Sequence, residues 1–426
     1  MHSIEDLLFW INKENENTFT SIEKIPFQCC SGWLLDSSIH RPDYSFFSIQ
    51  GARLGDCEQP IIVQSEIGFL GIIAKELYGD LYFLMQAKIE PGNINCVQIS
   101  PTLQATKSNF TQKHGGKKPL FLDYFLHPKR IIVDQLQSEQ SSRFLKKRNR
   151  NMIVLVEDDI PESDKFKWIS LSQIKRLMRY DNLINMDART VISCLPLYFW
   201  KSSFRDKTFD CSVHYGDVMS EITSIYNYLN DYKMFDDQCV ELFDLRNLRG
   251  WTFNGSEITA DYDAPFKVCF CDIAIEGREV RHWCQPLFEA TSIAVFGLVY
   301  CNDNGVYKFL VKAKPEIGCF DKIEIGPTVQ IDGMAHIDNE VDSRFFETLK
   351  NRDSVMIDVL LSEEGGRFYH EQNRNVVVKS DCKFAVPKGY FWVSYGTLNV
   401  LTQVNNCLNI QLRNLLSLLE FDNEEN

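Results

Sequence analysis

Apolar runs and turns follow one another in a regular order in the first half of the chain. Residues 68–74 (GFLGIIA) form an unbroken apolar run, and residues 81–89 (LYFLMQAKI) are rich in β-forming residues with partial alternation. Both patterns predict strands. Residues 90–93 (EPGN) are typical of a turn, and residues 94–99 predict the next strand.

The same order returns in the second half of the chain. Residues 306–313 (VYKFLVKA) and 322–325 (KIEI) predict strands on either side of a turn near Gly318. Each half closes with a helical pattern, at 171–183 after an N-capping serine and at 398–419. Both halves therefore favour an α+β fold.

This repetition extends to residue identities. Residues 59–104 align without a gap with residues 285–330 at an offset of 226, with 15 identities in 46 positions. Residues 138–151 (SEQSSRFLKKRNRN) align with residues 362–375 (SEEGGRFYHEQNRN) at an offset of 224, with 7 identities in 14. A single internal duplication is the simplest explanation.

The duplication predicts the domain organisation. Its period is too long for a solenoid, so the two copies are expected to be two tandem domains. We expect a first domain at 1–199, a connector at 200–235 and a second domain at 236–426. A helical pattern at 218–229 lies within the connector.

Composition excludes several classes of protein. The chain has 426 residues and a formal net charge of −13, with no concentrated basic tail, which argues against nucleic-acid binding. The longest apolar runs are far shorter than the roughly 20 residues needed to span a bilayer, and the N-terminus does not resemble a signal peptide. The 14 cysteines include no CxxC pair, which argues against a zinc site and favours a reducing, cytoplasmic environment.

The two copies differ most clearly after the shared Pro-Thr-x-Gln segment. The first copy continues into a tract of hydroxyls, amides and cations at 98–116, and the second copy loses most of these groups. Such a tract suits a ligand with many hydroxyl groups and a phosphate, because each donor buried without a partner costs about 1–3 kcal/mol. A solvated polar loop is the alternative.

Several long segments carry a family resemblance. QPIIVQSEIGFLGII, FLMQAKIEPGNINCVQISPTLQATKSNFTQKHGG and NLINMDARTV resemble the first half of the NDP-hexose 2,3-dehydratases of deoxysugar biosynthesis. IEGREVRHWCQPL, FLVKAKPEIG, SEEGGRFYHEQNRNVVV and KGYFWVS resemble their second half. The resemblance implies two tandem Nudix-like domains, an active pocket in the first, a vestigial one in the second, a homodimer, and no metal or redox cofactor.

The resemblance also implies a lyase reaction. The substrate would be a dTDP-linked 4-keto-6-deoxyhexose, whose C3 hydrogen is acidified by the C4 ketone. A base removes this proton, donors hold the enolate, and the C2 hydroxyl leaves with help from an acid. The enol product then becomes the 3,4-diketo-2,6-dideoxy sugar without net redox change.

Three residues of the first copy are candidates for catalysis. Lys88 could stabilise an oxyanion or contact phosphate, unless it is simply a strand lysine facing solvent. Glu66 is a candidate acid or base because Ser292 stands at the equivalent position of the second copy. His114 is the only histidine of the polar tract, and a histidine titrates near neutrality, although a loop histidine without a role is the alternative.

Further residues are candidates for binding. The guanidinium groups of the four arginines among these candidates are suited to binding pyrophosphate. The alternative is that they form internal ion pairs with Glu139 or Glu363. Thr102 and Gln104 recur as Thr328 and Gln330, so they could equally hold the fold. In the first copy the binding candidates are Ser100, Thr102, Gln104, Thr106, Ser108, Asn109, Arg143, Asn149 and Arg150. In the second pocket they are Trp283, Thr328, Gln330, Arg367 and Arg374, with Trp283 either stacking on a base or buried in the core.

Two other functions remain open from the sequence. A Nudix-type nucleotide-sugar hydrolase would need a helix with the pattern Gly-x5-Glu-x7-Arg-Glu-x2-Glu-Glu, and the chain supplies only the dipeptide Arg278-Glu279. A non-catalytic nucleotide-sugar-binding protein would bind the same ligand without releasing product.

Overall fold

The computed structural model describes residues 2–77, 79–110, 118–197, 204–276, 280–332, 337 and 339–420. Within these residues the strands form two seven-stranded sheets and two five-stranded sheets. Each seven-stranded sheet belongs to one repeat, whereas each five-stranded sheet takes strands from both. Two similar α+β domains are therefore confirmed, and the Nudix-like designation stays a prediction.

The amino-terminal segment and the first repeat supply the following elements. The segment before the repeat contains α1 (Ile4–Glu16), β1 (Thr20–Lys24), β2 (Leu34–Leu35), β3 (Ile39–His40), β4 (Ser48–Leu54) and β5 (Cys57–Val63). The first main sheet contains β6 (Gly68–Leu77), β7 (Asp80–Ile89), β8 (Val97–Ser100), β9 (Leu103–Ala105), β10 (Arg130–Ser138), β11 (Arg148–Leu155) and β12 (Phe166–Ser170). Its helices are α2 (Lys107–Phe110), α3 (Leu122–Leu126), α4 (Leu171–Leu177) and α5 (Met186–Ser193).

The second half follows the same plan. The connecting helices are α6 (Lys207–His214) and α7 (Val218–Phe235). Next come β13 (Glu241–Phe243), β14 (Trp251–Phe253), β15 (Glu257–Ala260), β16 (Phe266–Ile275) and β17 (His282–Ala290). The second main sheet and its helices are β18 (Val295–Asp303), β19 (Val306–Pro315), β20 (Ile323–Pro327), β21 (Val329–Ile331), α8 (Glu340–Lys350), β22 (Val355–Ser362), β23 (Gln372–Ser380), β24 (Tyr390–Ser394), α9 (Tyr395–Leu401) and α10 (Ile410–Leu418).

The two main sheets have the same topology. In the first sheet, β6 pairs parallel with β11 and antiparallel with β7 and β9. In the second sheet, β18 pairs parallel with β23 and antiparallel with β19 and β21. The central strands are buried on both faces, as their unbroken apolar runs predict. The predicted strands are confirmed, with boundaries shifted by one to three residues.

The helical patterns at the end of each repeat are interrupted, which corrects the prediction of one continuous helix at 171–183 and at 398–419. Asn182 and Asn406 adopt left-handed backbone conformations, with φ of 54° and 53°. Asn185 and Asn409 then cap the next helix, each accepting a backbone N–H on its side chain. The pattern at 171–183 therefore yields a helix that ends at Leu177, with a second helix only from Met186, and the pattern at 398–419 yields two helices, because asparagine tolerates positive φ and caps helices well.

The two repeats exchange an edge strand. Strand β1 of the first repeat pairs with β16 of the second, and β13 of the second repeat pairs with β4 of the first. Each five-stranded sheet therefore needs residues of both halves. The structure describes no helix that is long and apolar enough to cross a membrane.

The turns after β7 and β19 also cross between the repeats. Gly92 N–H donates to the Gly365 carbonyl, and Gly318 N–H donates to the Ser141 carbonyl at 2.7 Å. A Cβ on Gly92 would lie 1.5 Å from the Phe368 carbonyl oxygen, and a Cβ on Gly318 would lie 1.8 Å from the Phe144 oxygen. Only glycine permits this approach. The loop after β22 is thereby held against the first repeat, and the loop after β10 against the second.

Candidate functional site

A group of ionisable side chains from both repeats lies at one edge of the first main sheet. At this edge β6 and β11 begin and β7 and β10 end. We call this group the first charged cluster, and its members influence one another electrostatically. Its members are Glu66, Lys88, Glu90, Glu139, Lys147 and Asp187 from the first repeat, with Glu364 and Arg367 from the second.

Lys88 and Glu90 form an ion pair on either side of the end of β7. Lys88 Nζ lies 2.7 Å from Glu90 Oε1, and the Gln104 amide donates to the same oxygen at 3.4 Å. Lys88 and Gln104 are half-buried, whereas Glu90 is buried. The structure thus brings together two predicted site residues and the carboxylate that orients them.

Asp187 is the most deeply buried carboxyl of the first charged cluster. It lies at the start of α5 with 2% of its surface exposed, and its Oδ1 accepts no hydrogen bond within the described part of the chain. Burial raises the pKa of Asp187 well above its usual range, and the charges of Glu139 and Glu364 add to this effect. The positive charge of Lys88 lowers the pKa of Asp187 and so partly offsets this rise. Burial therefore favours the protonated form of Asp187, which can donate a proton.

Glu66 lies between β5 and β6 and is held from two sides. Its Oε1 accepts a hydrogen bond from Gln64 Nε2 at 3.1 Å, and its backbone oxygen accepts one from Lys147 Nζ. Gln64 Oε1 in turn accepts from Arg367 Nη2 at 3.1 Å. The half-buried Glu66 carboxylate is thus connected, through one buried amide, to an arginine of the other repeat.

The equivalent edge of the second main sheet carries a different set of charges. This second charged cluster also mixes the repeats and comprises Lys314, Glu316, Asp332, Glu363, Glu371 and the first repeat's Arg143. By the offsets of the duplication, Glu66, Lys147 and Asp187 correspond to Ser292, Glu371 and Gln411. The carboxylate, ammonium and buried acid that distinguish the first cluster are therefore absent at these positions of the second.

The two loop arginines lie in the opposite clusters to those predicted. The Arg367 guanidinium, expected in the second pocket, stacks 4.4 Å from the ring of Phe47 and donates to Gln64. The Arg143 guanidinium, expected in the first pocket, stacks 4.1 Å from the ring of Phe266 in the second repeat. The reason is the crossing of the loops after β10 and β22, which carries each arginine into the neighbouring repeat.

Thr102 and Thr328 hold the sheets together. The Thr102 hydroxyl accepts from Ile73 N–H at 2.9 Å and donates to the Leu84 carbonyl. Thr328 makes the same two bonds, to Val299 and Leu310. Both hydroxyls thus serve the backbone, which favours the structural alternative for these residues.

Arg150 and Arg374 also have internal partners. Each guanidinium binds an aspartate of the adjacent strand in a bidentate ion pair, Arg150 with Asp134 and Arg374 with Asp358, at N–O distances of 2.6–2.8 Å. The ion-pair alternative is therefore the one observed, with aspartates in place of Glu139 and Glu363. These arginines are on the strand pairs β10–β11 and β22–β23.

Asn149, Thr106 and Ser100 lie beside the first charged cluster. Asn149 Oδ1 accepts from the Gly68 N–H at 3.2 Å, and its amide donates to Glu139. Thr106 follows β9 and is half-buried, and Ser100 ends β8 and is buried. These placements are compatible with the binding roles that remain predictions.

The remaining candidates are distributed differently. Gln330 donates to Glu316 at 2.8 Å in the second charged cluster and accepts from Asn409. The half-buried Trp283 donates its indole N–H to Gln285. His114 and the side chains of Ser108 and Asn109 lie outside the described residues, so their roles stay predictions.

Sequence analysis missed the contributions of Gln64 and Asp187 and the location of Glu364. The signal that could have found them is the alignment of the two copies. At the equivalent positions of the other copy, Asp187 is replaced by Gln411, Gln64 by Ala290 and Glu364 by Gln140. These exchanges lie outside the polar tract at 98–116, to which the asymmetry was assigned.

The protein is thus built from two tandem α+β repeats, of which the first has a distinctive charged edge. Comparison with known proteins gives its family. The profile described as NDP-hexose 2,3-dehydratase matches residues 4–195 and 222–419. The chain belongs to this family, which confirms the resemblance found in the sequence.

Curated relatives cover nearly the whole chain. A dTDP-4-dehydro-6-deoxy-alpha-D-glucopyranose 2,3-dehydratase of Amycolatopsis orientalis is 37% identical over 97% of this chain and 89% of its own length. Proteins with the same name from Saccharopolyspora spinosa and Streptomyces violaceoruber are 36% and 34% identical, over 96% and 93% of this chain and 90% and 92% of their own lengths.

Proposed function

We propose that this protein removes water across C2 and C3 of dTDP-4-dehydro-6-deoxyglucose, giving the 3,4-diketo-2,6-dideoxy sugar. Family membership supports the reaction class, and the names of the relatives support the substrate. The observation that carries the assignment to the first repeat is the first charged cluster, which holds the half-buried Glu66 carboxylate, the half-buried Lys88 ammonium and the buried Asp187 carboxyl at one sheet edge.

In this proposal Glu66 is the base. Its carboxylate takes the C3 proton, and the electron pair of the C3–H bond moves into an enolate with its charge on the C4 oxygen. Lys88, fixed by Glu90, donates to that oxygen and offsets the developing charge. Glu66 and Lys88 are both partly exposed, which is compatible with contact to a substrate.

Asp187 is the proposed proton source for the leaving hydroxyl. The enolate expels the C2 hydroxyl, which accepts a proton and departs as water, and the resulting enol gains a proton at C2 and loses the proton of its C3 hydroxyl to become the diketone. Burial raises the pKa of Asp187 and so favours the protonated form that this step requires. His114 remains the alternative donor from the sequence.

One incubation separates the three candidate functions. The purified protein is mixed with dTDP-4-dehydro-6-deoxyglucose, and the products are followed by mass spectrometry. Loss of one water supports the dehydratase, appearance of dTMP supports a hydrolase, and binding without any new product supports a nucleotide-sugar-binding protein.

Matched variants of the two repeats test where the reaction occurs. Lys88→Met and Lys314→Met remove equivalent ammonium groups from the first and second charged clusters. We expect Lys88→Met to lower kcat by about 10²-fold or more, the usual effect of losing a donor to an oxyanion, and Lys314→Met to have a much smaller effect. Equal losses would contradict the assignment to the first repeat.

We extend the proposal to location and assembly. A cytoplasmic location is supported by the 14 free thiols. A homodimer is supported by the family resemblance and is tested by sedimentation equilibrium of the full chain.

A further inference from the structure

Arg367, Gln64 and Glu66 form a hydrogen-bonded chain that runs from the second repeat into the first charged cluster. Arg367 is buried, with Nη1 donating to the Gly366 carbonyl at 2.7 Å and Nη2 donating to Gln64 Oε1 at 3.1 Å. Gln64 is also buried, with 4% of its surface exposed, and its Nε2 donates to Glu66 Oε1 at 3.1 Å. We call these three residues the relay.

The direction of the relay follows from donor chemistry. A guanidinium can only donate, so the atom of Gln64 that faces Arg367 must be its oxygen. The amide nitrogen of Gln64 must then face Glu66, and Glu66 must accept with a carboxylate oxygen. Arg367 therefore fixes which way the amide points, and the amide fixes one oxygen of the proposed base.

The second repeat has no equivalent relay. Arg143 corresponds to Arg367 and stacks on Phe266 as Arg367 stacks on Phe47. The positions equivalent to Gln64 and Glu66 are, however, Ala290 and Ser292. A stacked arginine is thus present on both sides, and stacking alone does not account for the amide and the carboxylate, which are present only where Arg367 can reach them.

We propose that Arg367 is a positioning residue for proton removal at C3, supplied to the first repeat's site by the second repeat and acting through Gln64 to orient Glu66. This inference rests on the proposed function. When the C3–H bond breaks, the proton passes to the Glu66 carboxylate, and the electron pair enters the enolate. The second repeat is thus part of the catalytic machinery of the first.

The test compares Arg367→Lys, Gln64→Leu and the double variant R367K/Q64L in the full-length protein. Lysine keeps the charge but cannot donate to Gly366 and Gln64 from a planar fork. We expect each single variant to lower kcat by about 10- to 100-fold, because misplacing a reacting group by about 1 Å costs up to that much, and to change KM by less than about threefold. The double variant should be no slower than Q64L alone, because Arg367 acts through Gln64.

An isotope effect separates positioning from a structural role. With substrate deuterated at C3, the isotope effect on kcat should increase in both single variants, since proton removal becomes the slow step. A second double-mutant cycle combines R143K with Q64L. R143K removes the equivalent stacked arginine of the second charged cluster, so the effects of the two changes on kcat should multiply. If R367K does not fold, Q64L with its isotope effect carries the test.

Several outcomes would overturn the relay. These are losses confined to KM, an unchanged isotope effect, or R367K and Q64L effects that multiply. A wild-type protein that binds the substrate but releases no water would overturn the proposed function itself, and the relay with it, so the two failures are distinguishable.

Discussion

The indole N–H of Trp33 donates to the backbone oxygen of Cys284, at 2.7 Å, across the boundary between the two repeats. Its counterpart Trp251 donates to the backbone oxygen of Glu58 at 2.9 Å, in the reverse direction. Both tryptophans are buried. Together with the exchanged strands β1 and β13, these bonds leave neither repeat with a complete small sheet of its own.

We expect that neither half of the chain folds alone. Separate expression of residues 1–203 and 204–426 should give products without cooperative thermal unfolding, because β1 and β13 lack their partners. Coexpression of the two halves should give a folded complex that copurifies and unfolds cooperatively. Circular dichroism and size-exclusion chromatography measure both results, and cooperative unfolding of an isolated half would contradict the expectation.

Gly92→Ala and Gly318→Ala should each be strongly destabilising. The added methyl group would overlap a backbone carbonyl of the other repeat, so the free energy of unfolding should fall by at least about 3 kcal/mol. Gly79→Ala is the control, because its φ is +83° but no atom lies within 4 Å of the added Cβ, and about 1–2 kcal/mol is expected. Urea unfolding distinguishes these values. Equal losses of unfolding free energy in the three variants would show that the crossing turns can shift to accommodate the methyl group.

Thr102→Val and Thr328→Val should destabilise the protein to a similar extent. Each variant removes a buried hydroxyl that bridges two strands and leaves a backbone N–H without its partner, which costs about 1–3 kcal/mol. Thr252→Val at an exposed position should change stability by less than about 0.5 kcal/mol. If thermal unfolding showed a loss for Thr328 alone, the structural interpretation of Thr102 would be wrong.

Stability should decrease as pH rises towards 8. Burial raises the pKa of Glu324 from 4.5 to about 8, so the folded state keeps a proton that the unfolded chain releases. This contribution is complete below about pH 4.5 and is lost as pH rises through about 8, with a slope of up to about 1.4 kcal/mol per pH unit. Burial raises the pKa of Glu363 and Glu371 in the same direction.

Glu324→Gln tests this dependence, and glutamine is the residue at the equivalent position of the first repeat. Gln98 stands at the equivalent position of the first repeat and donates to Ser362, as Ser138 donates to Glu324. Urea unfolding at pH 5.5 and 7.5 should show the variant gaining at least about 1 kcal/mol relative to wild type between the two values. Parallel pH profiles for the two proteins would exclude a titrating Glu324.

The repeat, the main strands and the turns could be predicted because they are local patterns that occur twice. The interruption at Asn182 and Asn406 could have been recognised as well, since the aligned asparagines favour left-handed backbone and helix caps over a helix interior. The exchange of β1 and β13 could not, because both strands are short and dissimilar, and their pairing depends on contacts about 250 and about 190 residues apart in the chain.

The candidate site was predictable only in part, for the same reason. Lys88, Glu66, Gln104 and Asn149 were identified from one repeat and lie in or beside the first charged cluster. Arg367 was assigned to the wrong side because the crossing of its loop is set by tertiary packing. Asp187 carries no local motif, and the buried environment that raises its pKa exists only in the folded protein.

The exchanged strands also record the history of the molecule. A single ancestral unit would have had an unpaired sheet edge. It could have paired that edge by exchanging a strand with a second copy of itself. Fusion of the two genes then made a symmetric partnership permanent within one polypeptide. Once joined, the two sides were free to diverge, and only the first now has an amide and a carboxylate next to the arginine that its neighbour supplies.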